Sequence, residues 1–141
     1  MRAQCLLVWL LSGAVLTGSV WAQSAADEQA RASEAMTDRW GALATDPANS
    51  ILGGVTGLSS QEAATQAALQ ACKAKGGVTC KLEFVQRNQC GALVVGDRGY
   101  ATGVGVTPEI AAEQAIGVCR KDGDYTCEVY YSACSFPSRA Q

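Results

Sequence analysis

The chain has 141 residues, a formal net charge of -2 at pH 7 and no histidine. Near-neutral charge leaves no electrostatic footprint for nucleic acid or anionic lipid. Without imidazole, the usual base for a serine or cysteine nucleophile is missing.

The first 22 residues have the layout of a secretory signal: Arg2 gives a short positive start, Leu6 to Val20 an apolar core, and Val20-Trp21-Ala22 a cleavage site. The apolar run is too short for a convincing membrane anchor. Cys5 precedes the apolar core, which is not where a lipid-acceptor cysteine sits, so no anchor is expected after processing. Removing this segment reduces seven cysteines to six, an even number suited to full pairing in a periplasm or outside the cell.

Residues 23–39 are rich in Ala, Ser, Glu and Arg, with Met36 the one large apolar side chain. They offer little apolar surface to offset ordering entropy and read as a flexible leader. A single domain of two repeats, 40–88 and 90–134, follows, with a tail at 135–141. Each repeat opens on a strand, WGALATD (40–46) or CGALVVGD (90–97). Asp46-Pro47-Ala48-Asn49 and Asp97-Arg98-Gly99 are hairpin turns leading into second strands. Ser60 then caps one helix and Thr107-Pro108-Glu109 opens the other.

On the helices, Ala64, Ala68, Ala71 and Cys72 recur at one-face spacing, and Ala111, Ala115, Val118 and Cys119 repeat the pattern. Gly76-Gly77 and Asp122-Gly123 end them. The returning strands alternate, with Cys80, Leu82 and Phe84 on one side in the first repeat, and Cys127, Val129 and Tyr131 in the second. Tyr130 is then expected to point away from Tyr131. The unit is strand–strand–helix–strand, used twice. The fold class expected is α+β: one antiparallel sheet with both helices packed on it and pseudo-twofold internal symmetry.

Each seven-residue cysteine gap runs from a helix end through a Gly-containing turn to the start of a strand. Cys72 therefore pairs with Cys80 and Cys119 with Cys127, leaving Cys90 for Cys134. No Cys-x-x-Cys and no histidine accompany them, so neither redox catalysis nor a metal site is expected, and no cofactor. Asp46 and Asp97, placed on corresponding hairpins, are the one carboxylate pair considered for hydrolysis, and turn chemistry accounts for both. Gly103-Val104-Gly105 lies on a strand instead of opening a helix, and Asp122-Gly123-Asp124 reads as a turn. Arg98, Tyr100 and Tyr130 form the candidate contact patch, since exposed Tyr and Arg grip protein partners.

The Gly-Ala-Leu repeats at 41–43 and 91–93, the Cys-Gly-Ala-Leu start of the second repeat and the Ala-rich helices ending in Cys resemble a bacterial exported family, domain of unknown function 4189. The resemblance spans Trp40 to Cys134. It implies a small exported domain and brings no catalytic set with it. The first repeat has Trp40 where the second has Cys90, so a symmetric third bridge is not expected. The function expected is a non-enzymatic binding protein of the periplasm, an immunity or inhibitor protein neutralising a toxin or envelope-acting enzyme. A secreted virulence or host-interaction factor and a small envelope hydrolase are the alternatives.

Closing loops of these lengths stabilises by about 2.5 kcal/mol for each short bridge and about 4 for the long one. Reducing agent should therefore lower the calorimetric unfolding temperature sharply, and chelator should leave it unchanged. A chelator-induced transition would overturn the rejection of metal.

Overall fold

The computed structural model describes residues 36–139; the signal segment, Cys5 and the leader up to residue 35 lie outside the described residues. In chain order it comprises β1 (Met36–Thr37), β2 (Trp40–Asp46), a 3-10 turn (Pro47–Asn49), β3 (Ile51–Leu58), α1 (Gln61–Ala74), β4 (Lys81–Arg87), β5 (Cys90–Gly96), β6 (Gly99–Gly105), α2 (Pro108–Lys121), β7 (Glu128–Cys134) and β8 (Ser138–Arg139). The Ser60 hydroxyl accepts from the Ala63 N–H at 3.1 Å and Thr107 from the Ile110 N–H at 3.3 Å. Glu62 and Glu109 lie in first turns, and Lys73, Arg120 and Lys121 in last turns, complementing the helix dipoles. Gly76 and Gly123 then take left-handed backbone, with φ of 97° and 82°.

The strands are antiparallel, but the single shared sheet expected from the sequence does not form. Each repeat builds its own three-stranded sheet, ordered β3-β2-β4 and β6-β5-β7. The reason is that both faces of each sheet are apolar. One face carries small residues: Ala42 and Ala44 meet Ala64, Ala68 and Cys72 of α1. Cys90, Ala92 and Val94 likewise pack under α2 through Ala111, Ala115 and Cys119. The other face carries Leu43, Phe84, Leu93 and Tyr131. A six-stranded sheet with both helices on one side would leave those large side chains in water. Stacking the two sheets face to face covers them, giving helix, sheet, sheet and helix layers.

Glycines set the layer spacings. A Cβ on Gly53 would collide with the Cys72 amide of α1, and one on Gly103 would lie 2.6 Å from the Ala115 nitrogen of α2. Between the sheets, Gly54 faces the Tyr131 ring, Gly91 faces Phe84 and Gln86, and a Cβ on Gly41 would lie 2.5 Å from Ser135 Oγ. The Gln86 amide spans the gap, donating to the Ala133 carbonyl at 3.0 Å. The helical stripes are narrower than the sequence suggests: Val118 is exposed and Ala71 half-buried, because a helix seated on glycine rows touches the sheet along a thin line.

Strand alternation also breaks where it was expected to hold. In β4 the register passes from Phe84 opposite Leu43 to Leu82 opposite Ala44, leaving Glu83 as a bulge. In β7 it passes from Tyr131 opposite Leu93 to Val129 opposite Val94, leaving Tyr130 as the corresponding bulge. A bulge puts two neighbours on one side. Tyr130 therefore faces the inter-sheet gap beside Tyr131, not away from it. Leu82 and Val129 fall on the other side, partly exposed.

Met36–Thr37 and Ser138–Arg139, read from the sequence as parts of leader and tail, pair as a two-stranded sheet. Arg39 Nε donates to Ser138 Oγ at 2.6 Å, and Asn88 Nδ2 to Asp38 Oδ1 at 2.6 Å.

Gly53→Val should destabilise by about 3 kcal/mol, at the upper end for overpacking, because helix backbone must move. Gly117→Ala, in α2 with open space around it, should instead stabilise by about 0.5–1 kcal/mol. Thermal denaturation of both variants tests the layer spacing; equal effects would refute it.

Candidate functional site

A cleft of about 450 Å³ opens between the sheets at one end of the stack. The strand registers define equivalent positions in its walls. Thr45 lies opposite Leu52 and Lys81, as Val95 lies opposite Tyr100 and Glu128. Thr45, Val95, Leu52 and Tyr100 all line the cleft, as do Pro47, Asp97 and Tyr130. Equivalent residues of both repeats thus converge on it. Its two corners are built from equivalent positions and have diverged.

One corner is latched. Tyr100 of the second sheet donates its hydroxyl to Glu83 Oε1 of the first at 2.8 Å. The Thr45 hydroxyl donates to the same oxygen. Lys81 Nζ lies 3.4 Å from it and 5.3 Å from the centre of the Tyr100 ring. Tyr100 first, and Glu83 second, hold the Lys81 ammonium above its ordinary value. With its side chain 12% exposed, Glu83 is a carboxylate whose charge is met by donors from both sheets.

The other corner is open. Where the latch has Thr45, Glu83, Lys81 and Tyr100, it has Val95, Tyr130, Glu128 and Leu52. Tyr130 is 64% exposed and Val95 41%. Large apolar surface that a stable fold leaves uncovered beside a concavity marks a contact site.

The three residues singled out from the sequence separate here. Tyr100 and Tyr130 line one cleft from opposite corners. Arg98 stands apart at the β5–β6 turn, where its backbone N–H donates to Asp124 Oδ2 at 2.6 Å and its guanidinium approaches Gly123. Glu83 was missed, because its only signal is the bulge, which requires the partner strand to be known.

The sulfurs join Cys72 to Cys80, Cys90 to Cys134 and Cys119 to Cys127. Cys90 and Cys134 are directly opposite across β5 and β7. Their counterparts Trp40 and Arg87 are also opposite, and the guanidinium lies 5.7 Å from the Trp40 ring centre. A cation–π contact thus occupies the place of the third bridge in the first repeat. Donor atoms of Cys119, Asp124 and Cys127 lie within 4.8 Å of one another, but the two sulfurs are bonded to each other and offer no thiolate.

Asp46 and Asp97 are not equivalent, which corrects the sequence reading of two matched hairpins. Asp46 is fully buried and pins the loop between Cys72 and Cys80. It accepts from the Thr79 and Val78 N–H groups at 3.0 and 2.8 Å, the Thr79 hydroxyl at 2.9 Å and Asn49 at 2.8 Å. Its true counterpart is Gly96. In the second repeat the carboxylate comes from the loop: buried Asp124 accepts from the Thr126 hydroxyl at 2.6 Å and the Thr126 N–H at 3.0 Å. The loop position matching Asp124 is Gly77. The two repeats have exchanged which strand-or-loop position carries Asp and which carries Gly, while Thr79 and Thr126 keep the same role.

The fold and site define a duplicated, disulfide-linked α+β module with a cleft between its two three-stranded sheets. The chain belongs to the family described as domain of unknown function (DUF4189), which it matches over residues 40–134. Among solved structures it is similar to Rv1813c from Mycobacterium tuberculosis, determined by NMR, with 30% sequence identity and a TM-score of 0.52. That match covers 69% of this chain and 75% of the mycobacterial one. No curated protein matches the chain.

The hydrogen bonds from Thr79, foremost its amide, hold Asp46 well below the ordinary carboxylate range, and the Thr126 hydroxyl is the chief cause that lowers Asp124. A lowered folded-state value contributes stability that is fully present above the unfolded value, about 3.9, and is lost as pH falls from there through the folded value. The unfolding temperature should therefore drop steeply below about pH 4. Asp46→Asn should be less stable at pH 7 and show a flatter acid limb; parallel curves would refute the clamp.

Proposed function

We propose that this chain is an exported, non-enzymatic binding protein that holds a protein partner through the open corner of its inter-sheet cleft. The observation that carries the reading is the divergence of the two corners. Equivalent positions are closed by hydrogen bonds on one side and left as Val95, Tyr130 and Leu52 on the other. A repeat that had only to fold would gain by covering those side chains.

Three disulfides and capped helices hold the cleft walls, so docking orders little further chain. The exposed Tyr130 is of the residue type enriched at interface hot spots, and the aliphatic residues beside it would exclude water around it. Among the carboxylates weighed for hydrolysis, Asp46 has both oxygens engaged by the loop and Asp97 is exposed on the cleft rim. This arrangement favours binding over turnover. The partner class proposed is an envelope protein, with an immunity or inhibitor role towards a toxin or cell-envelope enzyme as the narrower form.

A photo-crosslinking residue at position 130 should capture a discrete envelope protein, whereas one at exposed position 118 on the flank of α2 should not. Tyr130→Ala should weaken that complex by about 2 kcal/mol and change folding stability by less than about 0.5 kcal/mol. Identical adducts from both positions, or none from 130, would count against the cleft as the contact surface.

A further inference from the structure

The latched corner shows how this scaffold seats a cation, and the open corner holds the complementary parts without one. In the latch, the Lys81 ammonium lies over the Tyr100 ring and beside the Glu83 carboxylate. Lys81 stands opposite Thr45 in the register, on the face that lines the cleft. At the equivalent place in the open corner, Glu128 stands opposite Val95, on the same face of its sheet and next to the residues that line the cleft. The bulge next to it supplies Tyr130, and Asp97 lies on the rim.

The corner therefore has a carboxylate and an exposed aromatic ring at positions where its twin has an ammonium and a carboxylate. Among the described residues the ion pairs are Lys81–Glu83 and Arg87–Asp38, and neither involves Asp97 or Glu128. The nearest cation in sequence, Arg98, turns its guanidinium towards Gly123. An apolar floor, an aromatic ring and carboxylates at the edge match one kind of side chain: a long aliphatic stem ending in a positive charge.

We infer that the open corner is a seat for a lysine or arginine side chain projected by the partner. This inference rests on the cleft reading above and names the chemistry that reading leaves open. The stem would lie on Val95 and Leu52, and the charged head would lie over Tyr130 between Glu128 and Asp97. Apolar contact gives the pocket its affinity, and the carboxylates select a basic residue over an aliphatic one of equal length.

The test uses the mature chain with its disulfides intact and ¹⁵N-labelled. It is titrated with short capped alanine–leucine peptides carrying one central lysine, or norleucine in its place. The lysine peptide should shift the amide resonances of Val95, Asp97, Glu128 and Tyr130. The norleucine peptide should bind about fivefold to tenfold more weakly. Raised salt should narrow the gap. Glu128→Gln should remove most of the preference, and Glu113→Gln on the exposed face of α2 should not. Equal binding of the two peptides would overturn the cation seat and leave the cleft as a contact surface. Absence of shifts with either peptide would overturn the seat, and capture from position 130 would then decide the broader reading separately.

Discussion

Two apolar faces on a three-stranded sheet demand two covers, and one helix supplies only one. The rest of this structure follows from how the second face is covered. Each repeat lends its second face to the other, so neither sheet stands without its twin. The Gly-Ala-Leu segments serve both contacts at once. Their alanines, Ala42 and Ala92, lie under the helices, and their leucines fill the space between sheets. Gly41 and Gly91 lie where opposing side chains approach too closely for a Cβ. The cleft opens between the two sheets, lined by residues of both.

Duplication gives each structural position two solutions, and the differences between them are informative. Where both halves need the same thing, the residue type differs while the interaction persists. Cys90–Cys134 and Trp40–Arg87 each tie a central strand to its neighbour, one covalently and one through a cation on a ring. At the cleft the halves stop matching in kind. Glu83 is satisfied by its own chain, whereas Tyr130 projects into solvent. Folding accounts for the first and not for the second, which is why the proposed function rests on that corner.

Much of this architecture was legible in the sequence. Helix starts at Ser60 and Thr107, stops near Gly76 and Gly123, and hairpins after Asp46 and Gly96 follow from local chemistry, which needs no knowledge of distant partners. The number of sheets is written there as well. GALAT and GALVV are apolar on both faces, a pattern for strands buried on two sides, not one. The bulges at Glu83 and Tyr130 were not legible, because a bulge belongs to a pair of strands and each strand read singly alternates well. For the same reason the cleft could be half-guessed, through Tyr100 and Tyr130, but not assembled. Arg98 was drawn in by sequence proximity to Tyr100, although its backbone serves the neighbouring loop.

The exchanged aspartates have a bearing on how this molecule can vary. Beneath each short sulfur-closed loop there is room for a single negative group, which enters from the strand in one half and from the loop in the other. Substituting one member alone passes through a state with either two buried like charges or a ring of amide donors lacking an acceptor. Both intermediates are costly. Positions 46 and 77, and positions 96 and 124, should consequently drift only in step. Related chains that carry glycine at one member of a couple should then carry the acid at the other.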